Sequence, residues 1–508
     1  MQRRDFLRLS ALGFLMTPLA VGVFTSQGSA SPFSGFSSGI RPEDLPENQA
    51  LKSLPRLTNQ ASDRGFSTRM RIAPTEVALV ENRKTSLWLY DGKLTPLIEV
   101  TEGDSVEVAV DNQLHQPTTI HWHGLRIAAD QDGAPHDLIK AGEQKTYRFT
   151  VPEGNAGLHW FHPHPHDYLA EQIAHSLAGV FLVNPRQDPV PASIASHLLV
   201  VTDLRLDEQA QVAPSIHPDW MNGREGNLVL VNGQRNPQLE VAPGETFRLQ
   251  MVNACAGRYL RLNLQEHDLQ LIGTDGGYLE KPVALDELLL VPGQRCDLLV
   301  TASESRKQRF QLLSLPYDRG RRGPPMLVQG EQTETLLTLV TGQGEVRPAV
   351  ELPARLQEIQ PLGEPEIQRR VDLSEDMPMG RRGGMRGPHH QDGRPPMRFL
   401  LNGEAYSPGD VMFEGKVGKV EEWEVFNASG MDHPFHIHGT HFQVVAIQNW
   451  KGDWHSPEYA AWQDTVNLKS HQKMKLRMVF RQPGEWMFHC HIIEHEEMGM
   501  MSSIRITD

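Results

Sequence analysis

Short runs in which apolar and polar residues alternate, separated by turns that contain glycine, make up most of the chain after residue 55. Residues 177–183 and 502–506 are two such runs. A period of two is typical of a β-strand with one buried face. The pattern predicts an all-β protein.

One combination of turn and strand occurs three times, at residues 90–112, 231–253 and 401–427. Each copy starts at a turn with a glycine and ends on an asparagine after an alternating run. The turn glycine and the terminal asparagine are equally far apart in the first two copies and slightly further apart in the third. This agreement predicts three homologous β-sandwich domains.

The length of 508 residues also allows about three domains at roughly 150 residues each. We place the sandwiches at residues 55–186, 195–342 and 396–508. Between the last two, residues 343–395 are predicted to form a linker with a mobile part, because much of this stretch is rich in proline, glycine and arginine.

The first and third repeats each carry two pairs of histidines with one residue between them. The pairs are His121 and His123, His162 and His164, His436 and His438, and His489 and His491. Successive side chains on a strand point to opposite faces, so both imidazoles of a pair lie on one side. A single histidine on a strand is usually structural, but four pairs at equivalent positions indicate a metal cluster. Imidazole binds copper, zinc, iron and nickel, so the pairs alone do not identify the metal.

Cys490 lies between His489 and His491, where the first repeat has Pro163. Its thiolate therefore points away from the two imidazoles that flank it. On that side the sequence offers His433, His495 and Met500. One cysteine, two histidines and a weakly bound methionine form the ligand set of a blue-copper site. Structural zinc also accepts cysteine and histidine, but it does not require the flanking histidines to serve a second site.

These motifs are similar to those of multicopper oxidases, and within that family they resemble the bacterial periplasmic copper-efflux oxidase and bacterial laccases. They read HWHG at residues 121–124, WFHPH at 160–164, HPFHIHG at 433–439 and HCHIIEHEEMGM at 489–500. The resemblance covers essentially the whole mature chain. It implies three cupredoxin-like Greek-key β-sandwich domains and four copper ions per chain, one of type 1, one of type 2 and two of type 3.

The resemblance also implies a role for each ligand. The type 1 copper would be bound by His433, Cys490, His495 and Met500. The type 2 copper would be bound by His121 and His436. The two type 3 coppers would be bound by His123, His162 and His491, and by His164, His438 and His489. Every ligand position is filled, so the sequence is not that of a degenerate relative without copper.

Two carboxylates, Asp132 and Glu496, are implied by the resemblance to deliver protons, because reduction of dioxygen to water consumes protons. The alternative is a turn aspartate and a solvated glutamate. We expect His166 to have an outer or exposed role, since eight imidazoles already complete a three-copper cluster. The second repeat has the sequence NACAGR at residues 253–258 where its neighbours lead into histidine motifs. It should bind no metal and should hold the other two domains together.

The implied reaction couples one-electron oxidation of a reducing substrate to four-electron reduction of dioxygen to water. The linker holds soft ligands that favour copper(I): Met377, Met379, Met385, Met397, His389 and His390. This resembles the methionine-rich segment of copper-efflux oxidases and suggests a role in copper tolerance, although four arginines in the same stretch would repel a cation. The alternatives are a laccase-type phenol oxidase or an iron or manganese oxidase.

Two other protein classes fit less well. A copper nitrite reductase has a blue-copper site but lacks two pairs of His-X-His motifs per chain. A non-catalytic relative that serves as an interaction protein of the cell envelope would be expected to lose ligands, above all Cys490.

Composition and charge argue against a nucleic-acid partner, and the N-terminal sequence predicts the compartment of the protein. The net charge is −14 and no basic stripe suitable for nucleic acid occurs outside one short linker. Residues 1–30 resemble a twin-arginine signal peptide, with Arg3 and Arg4 as the pair, which predicts a periplasmic protein exported by the twin-arginine machinery. A membrane anchor or a buried helix is the alternative for this run. Beyond it no apolar stretch is long enough to span a bilayer, and we expect a soluble monomer. Among three cysteines, at most one bridge, Cys255 to Cys296, is expected.

Overall fold

The structure is a computed structural model that describes residues 39–62, 64–322, 332–376, 394–449 and 451–508. The predicted signal peptide lies outside the described residues. The same is true of residues 377–393, which include most of the methionines and histidines assigned to copper(I).

The first sandwich pairs two four-stranded sheets, in the orders β2-β1-β4-β6 and β3-β8-β7-β5 among the described residues. Its strands are β1 (Phe66–Val77), β2 (Thr85–Tyr90), β3 (Leu97–Thr101), β4 (Ser105–Asn112), β5 (His121–His123), β6 (Gln144–Thr150), β7 (Gly157–His162) and β8 (Gly179–Asn184). Helix α1 spans Leu169–Ala174, and short 3-10 turns lie at Pro42–Asp44 and Ala129–Gln131.

In the second sandwich, the part of the chain that is described forms a six-stranded sheet, β10-β9-β12-β17-β14-β15, and a five-stranded sheet, β11-β19-β18-β13-β16. Its strands are β9 (Ala195–Leu204), β10 (Leu228–Val231), β11 (Gln238–Val241), β12 (Thr246–Asn253), β13 (Leu260–Leu264), β14 (Leu269–Thr274), β15 (Gly277–Leu285), β16 (Leu288–Leu290), β17 (Arg295–Thr301), β18 (Arg309–Leu315) and β19 (Glu334–Thr341). Helix α2 spans His217–Asn222.

The third sandwich repeats this arrangement, with sheets β21-β20-β23-β28-β25-β26 and β22-β30-β29-β24-β27 over the described residues. Its strands are β20 (Ile367–Asp376), β21 (Arg398–Leu401), β22 (Phe413–Lys416), β23 (Val420–Asn427), β24 (His433–Ile437), β25 (Phe442–Gln448), β26 (Trp454–His455), β27 (Thr465–Leu468), β28 (Lys473–Val479), β29 (Gly484–Cys490) and β30 (Met501–Thr507). Helix α3 spans Ile493–Glu497.

The asparagine that ends each sequence repeat has the same structural function in all three domains. The side-chain amides of Asn112, Asn253 and Asn427 are fully buried. Each donates two hydrogen bonds to backbone carbonyls and accepts one from the backbone N–H two residues later, at 2.7–3.1 Å. Three equivalent buried networks support the interpretation of the repeats as homologous units, and the predicted all-β class with cupredoxin-like sandwiches is confirmed.

The predicted linker differs from the structure in its later part. Strand β20 lies inside the stretch predicted to be a linker. It pairs in parallel with β23 and antiparallel with β21, so it is part of the third sandwich. It corresponds to β1 and β9, which open the other two sandwiches with the same parallel pairing. Charged residues on the exposed side of β20 hide a strand in which Val371 and Leu373 are buried. Met397, one of the predicted copper(I) ligands, is also buried in this core.

Two further observations concern the cysteines and the membrane. Cys255 and Cys296 are free thiols buried in the core of the second sandwich, so the bridge between them is not formed. Within the described ranges, no helix has the length and apolarity that a membrane crossing requires.

Candidate metal centre

Strand register places the predicted ligands side by side within each domain. Strand β5 pairs with β7 so that His121 lies opposite His162. Strand β24 pairs with β29 so that His436 lies opposite His489. Cross-strand neighbours on one face lie about 5 Å apart, which is close enough for two imidazoles to share a metal. The two domains therefore present equivalent half-sites.

The two half-sites meet face to face. His121 of the first sandwich stacks on His438 of the third at a ring distance of 3.7 Å, and His123 stacks on His436 at 3.8 Å. This contact forms three groups of histidines. Inside each group, the ring nitrogens that could bind a metal lie within 4.8 Å of one another. The groups are His121, His123 and His436; His123, His162 and His491; and His164, His438 and His489. The structure thus brings all eight predicted cluster histidines together, and all are buried.

Backbone carbonyls and carboxylates orient most of these imidazoles. Nδ1 of His121, His162, His436 and His489 donates to a backbone oxygen at 2.8–3.0 Å. The opposite ring nitrogens of His121, His162 and His436 are buried and have no hydrogen-bond partner among the described residues. Metal-binding histidines are typically held in this way by the nitrogen that does not bind the metal.

The ring nitrogens that face the centre fit a cation. His438 donates from Nδ1 to Asp132 at 2.7 Å and His489 donates from Nδ1 to the carbonyl of Cys490, so Nε2 of each carries a lone pair. These two nitrogens face each other at 3.1 Å. Burial, reinforced by neighbouring imidazoles, lowers the pKa of His123, His162, His438 and His491 well below the ordinary value. Neutral imidazoles with opposed lone pairs are a suitable donor set for copper.

Cys490 belongs to a separate group on the other face of β29. Its Sγ lies 3.4 Å from Nδ1 of His433 and 3.9 Å from Nδ1 of His495, and those two nitrogens are 3.2 Å apart. Ser429 and the carbonyl of Met221 contact the opposite nitrogens of the two histidines. Burial raises the pKa of the Cys490 thiol, so a thiolate here needs a cation beside it.

Met500, the fourth residue predicted for this group, is fully buried. Its backbone carbonyl accepts from the Cys490 N–H at 3.0 Å, and its own N–H donates to the carbonyl of His495 at 2.9 Å. Phe399 stacks on His495 at a ring distance of 3.8 Å. Met500 is thus hydrogen-bonded to Cys490 and His495 through its backbone, and it belongs to the same buried hydrophobic core as Cys490.

Both predicted proton-delivery residues contact cluster histidines. Asp132 is 1% exposed, accepts from His438 through Oδ2 and from His121 through its backbone oxygen. Gly133 permits this approach: it has φ +78°, and a Cβ there would lie 1.8 Å from the carbonyl oxygen of Ile120. Asp132 therefore ends a short turn, but its carboxylate is buried against the histidines.

Glu496 is likewise buried, on the short helix α3. One of its oxygens lies 3.3 Å from Nε2 of His164 and the other lies 3.0 Å from Nδ1 of His489. Its neighbour His495 contacts Cys490 instead, so two adjacent residues of α3 serve two different groups. His166 lies outside every group and contacts the ring of Tyr406.

Sequence reasoning missed three buried ionisable residues behind the histidines: Asp464, Arg295 and Asp275. Asp464 Oδ1 accepts from Nε2 of His123 at 3.1 Å, and Arg295 forms two hydrogen bonds to the Asp464 carboxylate. Burial alone would raise the pKa of Asp464, but the charge of Arg295 and the hydrogen bond from His123 hold it well below its usual range. No motif marks these residues, because they meet only when domains two and three pack together.

Comparison with known proteins agrees with this geometry. Residues 71–188, 198–325 and 381–508 match three sequence models that describe the multicopper oxidases. A multicopper oxidase from Campylobacter jejuni, described as a metallo-oxidase, is 37% identical and has a TM-score of 0.84, covering 93% of this chain and 98% of its own. The multicopper oxidase mco of Staphylococcus aureus is 29% identical over 82% of this chain and 83% of its own.

The chain belongs to the multicopper oxidase family. It is an oxidoreductase, and the family implies copper as the cofactor together with dioxygen and a reducing substrate. The cell division protein FtsP of Dickeya dadantii is also similar, with 26% identity over 83% of this chain and 85% of its own.

Proposed function

We propose that the protein is a four-copper oxidase that passes single electrons from a donor at the Cys490 group to dioxygen at the histidine cluster. The observation that carries this proposal is the position of Cys490. Its thiol lies with His433 and His495, whereas the residues on either side of it, His489 and His491, belong to the cluster. The peptide bond on each side of Cys490 therefore connects the thiol group directly to a histidine of the cluster.

The ligand roles follow the grouping of the side chains. His433, Cys490, His495 and Met500 would hold the type 1 copper, and His121 and His436 the type 2 copper. The remaining six histidines would hold the type 3 pair in the two groups described above. Copper supplies reversible one-electron chemistry at these positions. Asp132 and Glu496 would deliver protons to the same cluster, and their contacts with His438, His164 and His489 support this role.

Copper analysis of the purified protein tests this proposal. We expect about four copper ions per chain, an intense blue absorption band and dioxygen consumption with a reducing substrate. If the protein contained no copper after purification from cells that were supplied with copper, the oxidase proposal would be contradicted. That result would favour an interaction protein of the cell envelope. The similarity to FtsP makes that comparison necessary, although all twelve ligand positions are filled here.

We propose a metal ion, copper(I) in particular, as the electron donor. Strands β20 and β21 form a hairpin in which Asp376 pairs with Arg398, so residues 377–397 connect its two arms. Phe399, one residue further, stacks on His495. Arg394 binds the buried carboxylate of Glu497 at 2.6 Å. Both ends of the methionine-containing segment thus lie beside the Cys490 group. The description of the C. jejuni protein as a metallo-oxidase supports the same donor class.

Replacing the soft ligands of this segment is expected to weaken copper(I) oxidation selectively. In the variant, Met377, Met379, Met385, His389 and His390 become serine, and the length of the segment is kept. A soft-ligand site concentrates a soft cation but does nothing for a bulky phenol. We expect kcat/KM for copper(I) to fall about tenfold, a loss typical of a mutated metal contact, with little change for the phenol.

The matched control replaces Arg381, Arg382 and Arg386 in the same segment with glutamine, which should not lower copper(I) oxidation. Equal losses for copper(I) and the phenol would indicate a general defect. No loss of copper(I) oxidation would instead favour a laccase-type enzyme, and iron(II) and manganese(II) belong in the same comparison. Copper tolerance, export to the periplasm by the twin-arginine route and a monomeric state remain part of this proposal.

A further inference from the structure

Arg295 is a fully buried arginine that the second sandwich places behind the histidine cluster. It is the first residue of β17, and all five of its N–H groups have acceptors. Nε donates to the carbonyl of Leu158 in the first sandwich, and two donors go to backbone oxygens of Gly293 and Asp275 in its own domain. The remaining two bind both oxygens of Asp464 in the third sandwich, at 2.8 and 2.6 Å. One side chain therefore contacts all three domains.

Asp464 links Arg295 to the cluster through hydrogen bonds to two histidines. Its Oδ1 accepts from Nε2 of His123, and its backbone oxygen accepts from Nδ1 of His436. These two rings, one from each half-site, stack on each other at 3.8 Å. Asp464 thus sets the direction of two histidines that the proposed function assigns to different coppers.

The backbone around Asp464 is also held by the second sandwich. Asp275 accepts from the backbone N–H of Arg295 at 2.8 Å and from those of Asp464 and Thr465 at 3.3 Å. The hydroxyl of Thr465 donates to Asp464 Oδ1 at 2.8 Å and lies 3.2 Å from Nδ1 of His436. Both the carboxylate and the carbonyl of Asp464 are therefore fixed from the domain that carries none of the proposed ligands.

Stability alone is a weak reason for such a pair. A buried ion pair often contributes no more than well-packed apolar side chains of the same volume. A bidentate arginine does, however, fix the plane and position of a carboxylate, which lysine cannot do. We infer that Arg295 is a positioning residue through which the second sandwich sets the orientation of His123 and His436. The inference rests on the proposed ligand roles of those two histidines.

The chain offers a matched control on β12, the strand that pairs with β17. Arg248 binds both oxygens of Asp297, which lies two residues after Arg295 on β17, and both partners are nearly buried. The hydrogen bonds and ion pairs described for Arg248 go to Asp297 and Asp188, away from the histidines. Arg248→Lys and Arg295→Lys therefore make the same chemical change in two buried pairs and differ in their relation to the cluster.

The experiment compares copper retention by the wild-type protein and both lysine variants during titration with a copper chelator. The paramagnetic resonance signal of the type 2 copper reports the cluster, and the blue band of the Cys490 group reports an intact fold. We expect Arg295→Lys to lose cluster copper at about tenfold lower chelator concentration and to show an altered type 2 signal, with its blue band retained. Arg248→Lys should behave like the wild type.

Wild-type retention and an unchanged signal in Arg295→Lys would overturn the inference, since lysine keeps the charge but not the geometry. Equal losses in both variants would also overturn it, because the effect would then be a general one of buried arginine. A wild-type protein that binds no cluster copper would contradict the ligand assignment itself. Failure of the inference about Arg295 and failure of the proposed ligand roles would therefore give different results.

Discussion

Cys490→Ser is expected to abolish the blue band and to reduce turnover to background while the histidine cluster keeps its copper. The thiolate is the soft ligand of the Cys490 group, and a serine hydroxyl does not replace it. The cluster should survive because His489 and His491 point away from the thiol and belong to groups of histidines that do not include Cys490. Serine also has nearly the same volume as cysteine, so the strand pairing with β24 should persist.

Copper content, the blue band and dioxygen consumption are the measurements. Cys255→Ser is the matched control, since Cys255 is an equally buried free thiol that lies outside every group of potential ligands among the described residues. It should keep copper, colour and turnover. Normal oxidase activity in Cys490→Ser would show that electrons enter elsewhere.

The second large effect is expected for Asp132→Asn. The amide has the shape of the carboxylate and can still accept the hydrogen bond from His438, so copper content should not change. It cannot take up and release a proton, and general acid–base groups contribute about 10²–10⁴-fold to rate. We expect kcat for dioxygen reduction to fall by at least about 10²-fold.

Two comparisons isolate this effect. Anaerobic reduction of the Cys490 group by the donor should proceed at the wild-type rate, because that step needs no proton at the cluster. Asp130→Asn makes the same change two residues away at an exposed carboxylate and should leave kcat unaltered. If Asp132→Asn turned over at the wild-type rate across the pH range, Asp132 would have a structural role only.

The repeated turn, the terminal asparagine and the histidine pairs could be recognised in the sequence because each depends on neighbours a few residues away. Alternation along a strand decides which side chains share a face, so His489 and His491 separate from Cys490 before any tertiary contact is known. The family motifs then suggested which residues share a metal. The strand β20 escaped recognition because its charged outer face and the arginine-rich sequence after it resemble a linker.

Contacts between domains are a different matter, because no local pattern encodes which surfaces meet. The stacking of His121 on His438 and of His123 on His436 arises only when the first and third sandwiches pack together. Asp464 and Arg295 are 169 residues apart, and neither lies in a motif. Local sequence thus decides which groups are available on each strand face. The burial of charged residues at the junction of three domains decides how those groups are oriented. A buried charge is tolerated only where the fold supplies an oppositely charged partner, and here that partner is distant in the sequence.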